Sequence, residues 1–430
     1  GLERGMPVIE MIEIEQSFPA KRLANIKAKV HEEIRKNQEI QSLAKGAEIA
    51  ITAGSRGIAN IVQILKETVS VLKELGYRPF LVPAMGSHGG ATAEGQVEVL
   101  KHLGITEEAV GAEIRSSMDV ELIAYTEDGV PVYMDKHAYH ADGIVVVNRV
   151  KPHTAFRGRV ESGLSKMVTI GLGKVKGASF VHSNGASNMA RNIEKVSKCA
   201  IEHSNILMGL AIVENAYEET ADIVGVAREE WHDKEEILLK KAKAMMPSLP
   251  VEQIDILIVE EMGKIYSGTG MDPNIIGRWR MDDIPEPEVP DVKRIVVLDL
   301  AHQSFGNAQG IGLADFTTRK LFDKIDLHAT YTNALTSTNL RRAMIPFIYP
   351  TEKEAIEAAV KSLGPDVNLE SLKVVQIPNT LHLKRVLVSK PVLEEMDRAG
   401  KDYKVVRTCT LDFDQRKELV NRLLVHNGRC

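Results

Sequence analysis

The sequence is short of cysteine. Cys199, Cys409 and Cys430 lie far apart among 430 residues. An odd, scattered set makes no disulfide framework, and no pair has zinc-type spacing, so a reducing cytoplasm is the expected compartment. An excess of positive charge is also missing. The net charge is −5 and the pI about 6.3, which argues against a nucleic-acid partner, because such proteins carry a basic field. No apolar run reaches the roughly 18 to 20 residues that span a bilayer, so no membrane partner is expected. The residues GLERGMPVIEMIEI lack the basic-then-apolar order of a secretory signal. Two nucleotide signatures are absent as well: there is neither a G-x-G-x-x-G fingerprint nor a Walker A sequence. Repeats and low-complexity tracts are not found.

What is present is an ordinary globular composition, 44% hydrophobic and 26% charged, in a chain long enough for two domains. Short β-branched runs alternate with longer helical patterns, which predicts an α/β fold with mainly parallel sheets. Strands are expected at 47–53, 77–82 and 144–148, at ILMGLAIVEN and at ADIVGVA. Helices are expected at 58–75, 188–203 and 228–246, and a hairpin at 119–134 turning at Asp128-Gly129. Pro247-Ser248-Leu249-Pro250 reads as a domain boundary. It gives an N-terminal α/β domain, 1–250, and a C-terminal α/β domain, 251–430, with the active site expected in the cleft between them. The second half predicts strands at 254–259, 294–300, 373–377, 385–389 and 403–409, and helices near 313–324, 351–363, 391–398 and 413–425. Three prolines make Asp283–Asp291 a loop.

The densest chemistry lies in residues 148–188, which space His153, Lys166 and His182 among six glycines in sequence that reads as mostly loop. Ligands of open α/β sheets bind beyond the carboxyl ends of the strands. Three strands of the first half end in such loops, at Gly54–Gly57, Gly86–Gly90 and Lys151–Gly158. In the first, Ser55 and Arg56 suit a phosphate or carboxylate at a helix start, although a tight turn with an exposed arginine reads equally well. His88 and His153, near neutral in pKa, suit a reciprocal acid and base, as racemisation requires. Lys166 precedes an apolar run and suits a half-buried, nucleophilic amine, against the plainer reading of a snorkelling surface lysine. Lys174 and Lys176 read as solvated charges. His182 reads as a metal ligand or a neighbour of a helix cap. The pair His137 and His140 lacks a matching carboxylate in sequence and reads as incidental.

Three loops, PAMGSHGGAT, KPHTAFRGRVESGLSK and FVHSNG, resemble those of the nickel-dependent lactate racemase family of 2-hydroxyacid racemases and epimerases. The resemblance covers most of the first domain and is less distinct in the second. It implies an isomerase using a nickel pincer nucleotide, pyridinium-3,5-bisthiocarboxylic acid mononucleotide carrying nickel. It implies that Lys166 tethers that cofactor and that His182 completes the nickel coordination. By the same resemblance His88 and His153 act as alternating bases, and the cofactor phosphate lies near Ser55 and Arg56. The implied partners are a small 2-hydroxyacid substrate and cofactor maturation enzymes; the oligomeric state stays open, a homo-oligomer included.

The chain departs from the pattern in three places. The interval from His153 to Lys166 is longer than in the lactate enzyme. Ala53 stands where that enzyme has an acidic residue. In Met271–Arg280, the aromatic and amide positions become Ile276 and Gly277. Arg280, or Arg278 beside it, takes the place of the lysine and keeps a group for the substrate carboxylate, in a pocket that implies a substrate other than lactate. Two alternatives stand beside the racemase reading. One is a carrier or sensor of the nickel cofactor or of a small hydroxyacid. The other is a related cofactor-dependent sugar-acid isomerase or dehydrogenase.

Overall fold

A computed structural model describes residues 6, 8–182 and 186–424. The chain forms two compact units, one of residues 19–246 and one that joins residues 1–18 to 247–430. Both are α/β, as the alternation of strand and helix patterns implies.

The first unit is built on a five-stranded sheet. Its order is Arg78–Pro83, Glu48–Ala53, Gly143–Arg149, Ile206–Glu214 and Thr220–Ala227. The first four strands are parallel and the last is antiparallel. The central strands are apolar on both faces, as buried parallel strands are. Ile144 and Val146 enter one core, and Val145 and Val147 enter the other. Helix Ile61–Glu74 covers the second core with Ile64, Leu65, Thr68, Val69, Val71 and Leu72, the 3.6-residue pattern of a one-sided helix. The expected hairpin forms, pairing Val120–Tyr125 with Pro131–Asp135.

Two local expectations in this unit fail. Residues 164–182 are helical rather than loop-like. Helix Leu164–Lys166 runs into a π-helical turn, Met167–Gly171, and then into helix Lys174–His182. The glycines serve close packing here: a Cβ on Gly171 would stand 2.7 Å from the Ala84 carbonyl oxygen. His140 does meet a carboxylate, with its Nε2 3.0 Å from Glu121.

The second unit carries an eight-stranded sheet. Phe347–Tyr349, Phe316–Thr318, Asp291–Val297, Gln253–Val259 and Val374–Ile377 run parallel, followed by Arg385–Ser389, Glu10–Gln16 and Tyr403–Thr410 in antiparallel pairing. Residues 1–18 therefore sit with the C-terminal half and not, as expected, with the residues that follow them. Pairing is the cause, since Glu10–Gln16 lies between two strands from the far end of the chain. The helix expected at 313–324 is a strand, Phe316–Thr318, and a short helix, Arg319–Asp323. Helix Leu327–Ser337 was not foreseen. No helix forms among the described residues of 413–425. Cys199 and Cys409 are free thiols, and Cys430 lies outside the described residues. No helix among the described residues is long and apolar enough to cross a membrane.

Candidate functional site

The carboxyl ends of three adjacent parallel strands meet at one pocket of the first unit. Ala53 and Pro83 are in register, and the strand ending at Arg149 flanks them on the other side. The pocket is lined by Ser55 and Arg56 after the first strand, by His88 after the second, and by Asn148 and Arg149 from the third. Ser162, Lys166, Met167, Ile170 and Gly171 close it. Four of the residues singled out in the sequence therefore share one wall: Ser55, Arg56, His88 and Lys166.

Lys166 sits where the short helix becomes the π-turn, a rare backbone state that recurs at functional sites. Its amine makes no hydrogen bond or ion pair among the described residues. Burial, and then the charge of Arg56, bring its pKa from 10.5 down to about 8. Roughly a tenth of such amines are neutral at pH 7, against well under a thousandth for an ordinary lysine.

The turn is held from behind. Glu235, on helix Trp231–Ala244, accepts hydrogen bonds from the Ser165 N–H at 3.1 and 3.2 Å and from its hydroxyl at 2.5 Å. Trp231 Nε1 donates to the same hydroxyl at 3.2 Å. Asn148 Nδ2 donates to the Gly163 carbonyl at 2.9 Å, tying the turn to the strand end. Burial raises the Glu235 carboxyl to about 7.

The pocket is cationic. Arg149 lies against Glu214 at 2.5 Å, whereas Arg56 has no carboxylate or hydrogen-bond partner among the described residues. Desolvation, and then Arg149, lower the Arg56 pKa. An anion is the natural answer to an unmatched guanidinium beside an unmatched amine. The sequence reading missed Arg149. The clue was its place at the end of the strand expected at 144–148, in line with the other two strand ends.

The two histidines put forward as bases are held differently. His88 Nδ1 lies 2.6 Å from the Ser55 hydroxyl. A hydroxyl can donate or accept, so this contact permits either tautomer of His88. His153 lies outside the wall of the pocket. Its ring stacks on Phe156 with centroids 4.1 Å apart, and its Nδ1 accepts the Ala155 N–H at 2.9 Å. A backbone N–H only donates, so the neutral ring carries its proton on Nε2. The His153 N–H in turn donates to buried Glu161 at 2.9 Å.

His182 ends helix Lys174–His182 at the surface, and it too lies outside the pocket wall. The protein around it, and then the Lys166 charge, lower its pKa, which favours the neutral imidazole that binds metals. Ser183, Asn184 and Gly185 lie outside the described residues. Among the described residues no three His, Cys, Asp or Glu side chains gather to hold a metal ion.

The remaining residues singled out in the sequence meet mixed surroundings. Lys174, read as a solvated charge, is buried beside Asp135 at 3.4 Å. Lys176 is exposed, over the Tyr133 ring. Arg278 and Arg280, read as holders of a substrate carboxylate, are occupied within the second unit. Arg278 lies 2.8 Å from Asp315 and donates to the Leu313, Val292 and Lys293 carbonyls. Arg280 lies 3.1 Å from the same aspartate and donates to the Gly312 carbonyl. Sequence alone could not reveal Asp315, which lies 35 residues beyond Arg280.

No family model and no curated protein matches the chain. Among solved structures it is similar to the lactate racemase apoprotein from Thermoanaerobacterium thermosaccharolyticum, at 14% identity and a TM-score of 0.49, over 86% of this chain and 98% of that one.

Proposed function

We propose that the chain is a racemase or epimerase of a 2-hydroxyacid that works through a lysine-tethered nickel pincer nucleotide. The observation that carries the reading is the Lys166 amine. It is unpaired, lowered to about 8, and set in one pocket wall with an unmatched guanidinium and a histidine.

The residues fit the cofactor chemically. Lys166 offers a nucleophilic amine for a thioamide bond. Arg56 and Arg149 offer charge for a phosphate. His182 offers a neutral imidazole nitrogen, a donor suited to nickel. When bound, the cofactor supplies the centre that takes and returns the substrate's α-hydrogen. The protein supplies proton transfer and orientation. His88 can lend its Nε2 as a base when its Nδ1–H donates to Ser55, and the imidazolium so formed, still donating from Nδ1, is the acid that returns the proton. His153, with Nδ1 engaged by Ala155, is held as the Nε2–H tautomer, which has no lone pair on Nε2 for a proton and no second proton to give. To serve as the base through Nε2, and as the acid once it is an imidazolium, its ring must let go of the Ala155 N–H.

The test is chiral analysis of a panel of α-deuterated 2-hydroxyacids incubated with cofactor-loaded protein. We expect inverted product that retains the deuterium, lost in both His88→Ala and His153→Ala, and a mass increment confined to Lys166. Fully active enzyme with unmodified Lys166 would refute the tether. Deuterium washed out into solvent would refute the hydride shuttle.

A further inference from the structure

Behind the His88 loop lies a buried polar cluster with no part in the chemistry described so far. Lys174, Asp135 and Gln96 come from three different elements and are each at most 1% exposed. Lys174 Nζ lies 3.4 Å from Asp135 Oδ2 and donates to Gln96 Oε1 at 3.2 Å. It also donates to the Pro83 carbonyl, at the end of the strand that leads into the loop. Gln96 Nε2 donates to the Gly86 carbonyl at 2.9 Å and to the His88 carbonyl at 3.1 Å. Asp135 is fixed in turn: its carboxylate accepts the Ala138 N–H at 2.8 Å, and its own N–H donates to the Leu172 carbonyl at 2.7 Å, just past the π-turn.

We infer that Asp135, Lys174 and Gln96 form a buried positioning relay that sets the His88 loop in register with the turn carrying Lys166 and the helix carrying His182.

Three features argue for a role beyond filling space. First, the partners of the relay are backbone carbonyls along the approach to His88: Pro83 at the strand end, then Gly86 and His88 in the loop itself. Gly86 is buried beyond the end of the strand, where the ladder no longer supplies a donor, and a buried carbonyl left alone is costly. Secondly, Lys174 holds φ of +56°, a backbone state that favours glycine. A lysine kept there, wholly buried, is held for its side chain. Thirdly, Lys174 opens the helix that ends at His182 and follows the π-turn by three residues, so one ammonium reports on all three functional segments. A buried ion pair is weak evidence for stability and better evidence for a defined arrangement.

The inference rests on His88 acting on the substrate, and its test is chosen to stand apart from that reading. Gln96→Glu keeps an acceptor for Lys174 and the side-chain shape, but its carboxylate cannot donate to the loop carbonyls. The imidazole Cε1–H resonances of the full chain, with the His88 peak identified by its loss in His88→Asn, report the ring directly and need no cofactor. We expect the His88 resonance in Gln96→Glu to move and broaden while that of His328, on helix Leu327–Ser337 of the other unit, stays in place. In loaded enzyme we expect kcat to fall about 10- to 100-fold with KM within about twofold, the signature of misplacement without lost binding. Gln96→Leu, which removes both functions, is read in the same way if the first variant does not fold. An unchanged His88 resonance in a folded variant overturns the relay. Full racemisation by His88→Ala would instead overturn the functional reading and leave the resonance experiment decisive for the relay.

Discussion

At the scale of the residue, Lys166 is an amine that the fold surrounds and then leaves unanswered. Its pKa falls from 10.5 to about 8, through burial first and Arg56 second. The folded chain therefore binds fewer protons than the unfolded chain between about pH 8 and 10.5. The penalty is complete below pH 8 and fades as pH rises towards 10.5. A shift of this size corresponds to about 3 kcal/mol. Lys166→Met should raise the Tm at pH 7, with an advantage that shrinks towards pH 10; a variant melting below the parent at pH 7 would show that the amine has a partner. Arg56→Ala should raise the Lys166 pKa, read from the pH dependence of amine acylation followed by peptide mapping. Sequence singled out Lys166 because an apolar run follows it, and it set Lys174 aside as a solvated charge, which the structure buries instead. Which of two nearby lysines is solvated depends on Asp135 and Gln96, and neither is near in the chain.

At the scale of the element, the unit of interest is the turn that presents Lys166, and Glu235 decides how firmly it is held. Burial raises the Glu235 carboxyl from 4.5 to about 7. In this case the folded chain binds more protons than the unfolded chain between those values. Stability therefore falls as pH rises from 4.5 through 7, and the loss is complete above 7. Glu235→Gln keeps an acceptor for Ser165 and never ionises, so its Tm should be flatter than the parent's between pH 5 and 8. Glu235→Ala should instead cost about 1–3 kcal/mol at pH 5, because it strands the Ser165 N–H. Equal slopes for parent and Glu235→Gln would remove Glu235 as the titrating group. The elements that were legible in advance are those whose signal is local. Helix Ile61–Glu74 has its apolar stripe, and Ile206–Glu214 a run that is apolar from Ile206 to Val213 but for Gly209. Residues 164–182 were not legible, because glycine reads as a turn former. Here Gly171 and Gly173 let backbones pass where a Cβ would collide with Ala84 and Thr169. The strand Phe316–Thr318 hid for a similar reason: three residues, paired on both sides, carry too short a pattern to stand out from the helix that follows.

At the scale of the whole molecule, the argued chemistry belongs to one unit. Every residue lining the Lys166 pocket, the relay behind His88 and the Glu235 brace lie within residues 19–246, and the five-stranded sheet that organises them is complete there. The other unit is not contiguous. Tyr403–Thr410 pairs along its length with Glu10–Gln16, whose other edge pairs with Arg385–Ser389. Met11, Ile12 and Ile14 are buried. Removing residues 1–18 takes the middle strand out of this antiparallel corner and strands backbone groups on both neighbours. The two units should therefore respond differently to dissection. A fragment of residues 19–246 should melt cooperatively and keep Lys166 titrating near 8. A fragment of residues 247–430 should lack dispersed amide resonances until residues 1–18 are restored, most directly by fusing them after residue 430 through a flexible linker. Native-like dispersion from 247–430 alone would show that the eight-stranded sheet does not depend on its N-terminal strand. A fragment 19–246 that folds but returns Lys166 to an ordinary lysine pKa would show that the strand-end pocket does not by itself set the amine's chemistry.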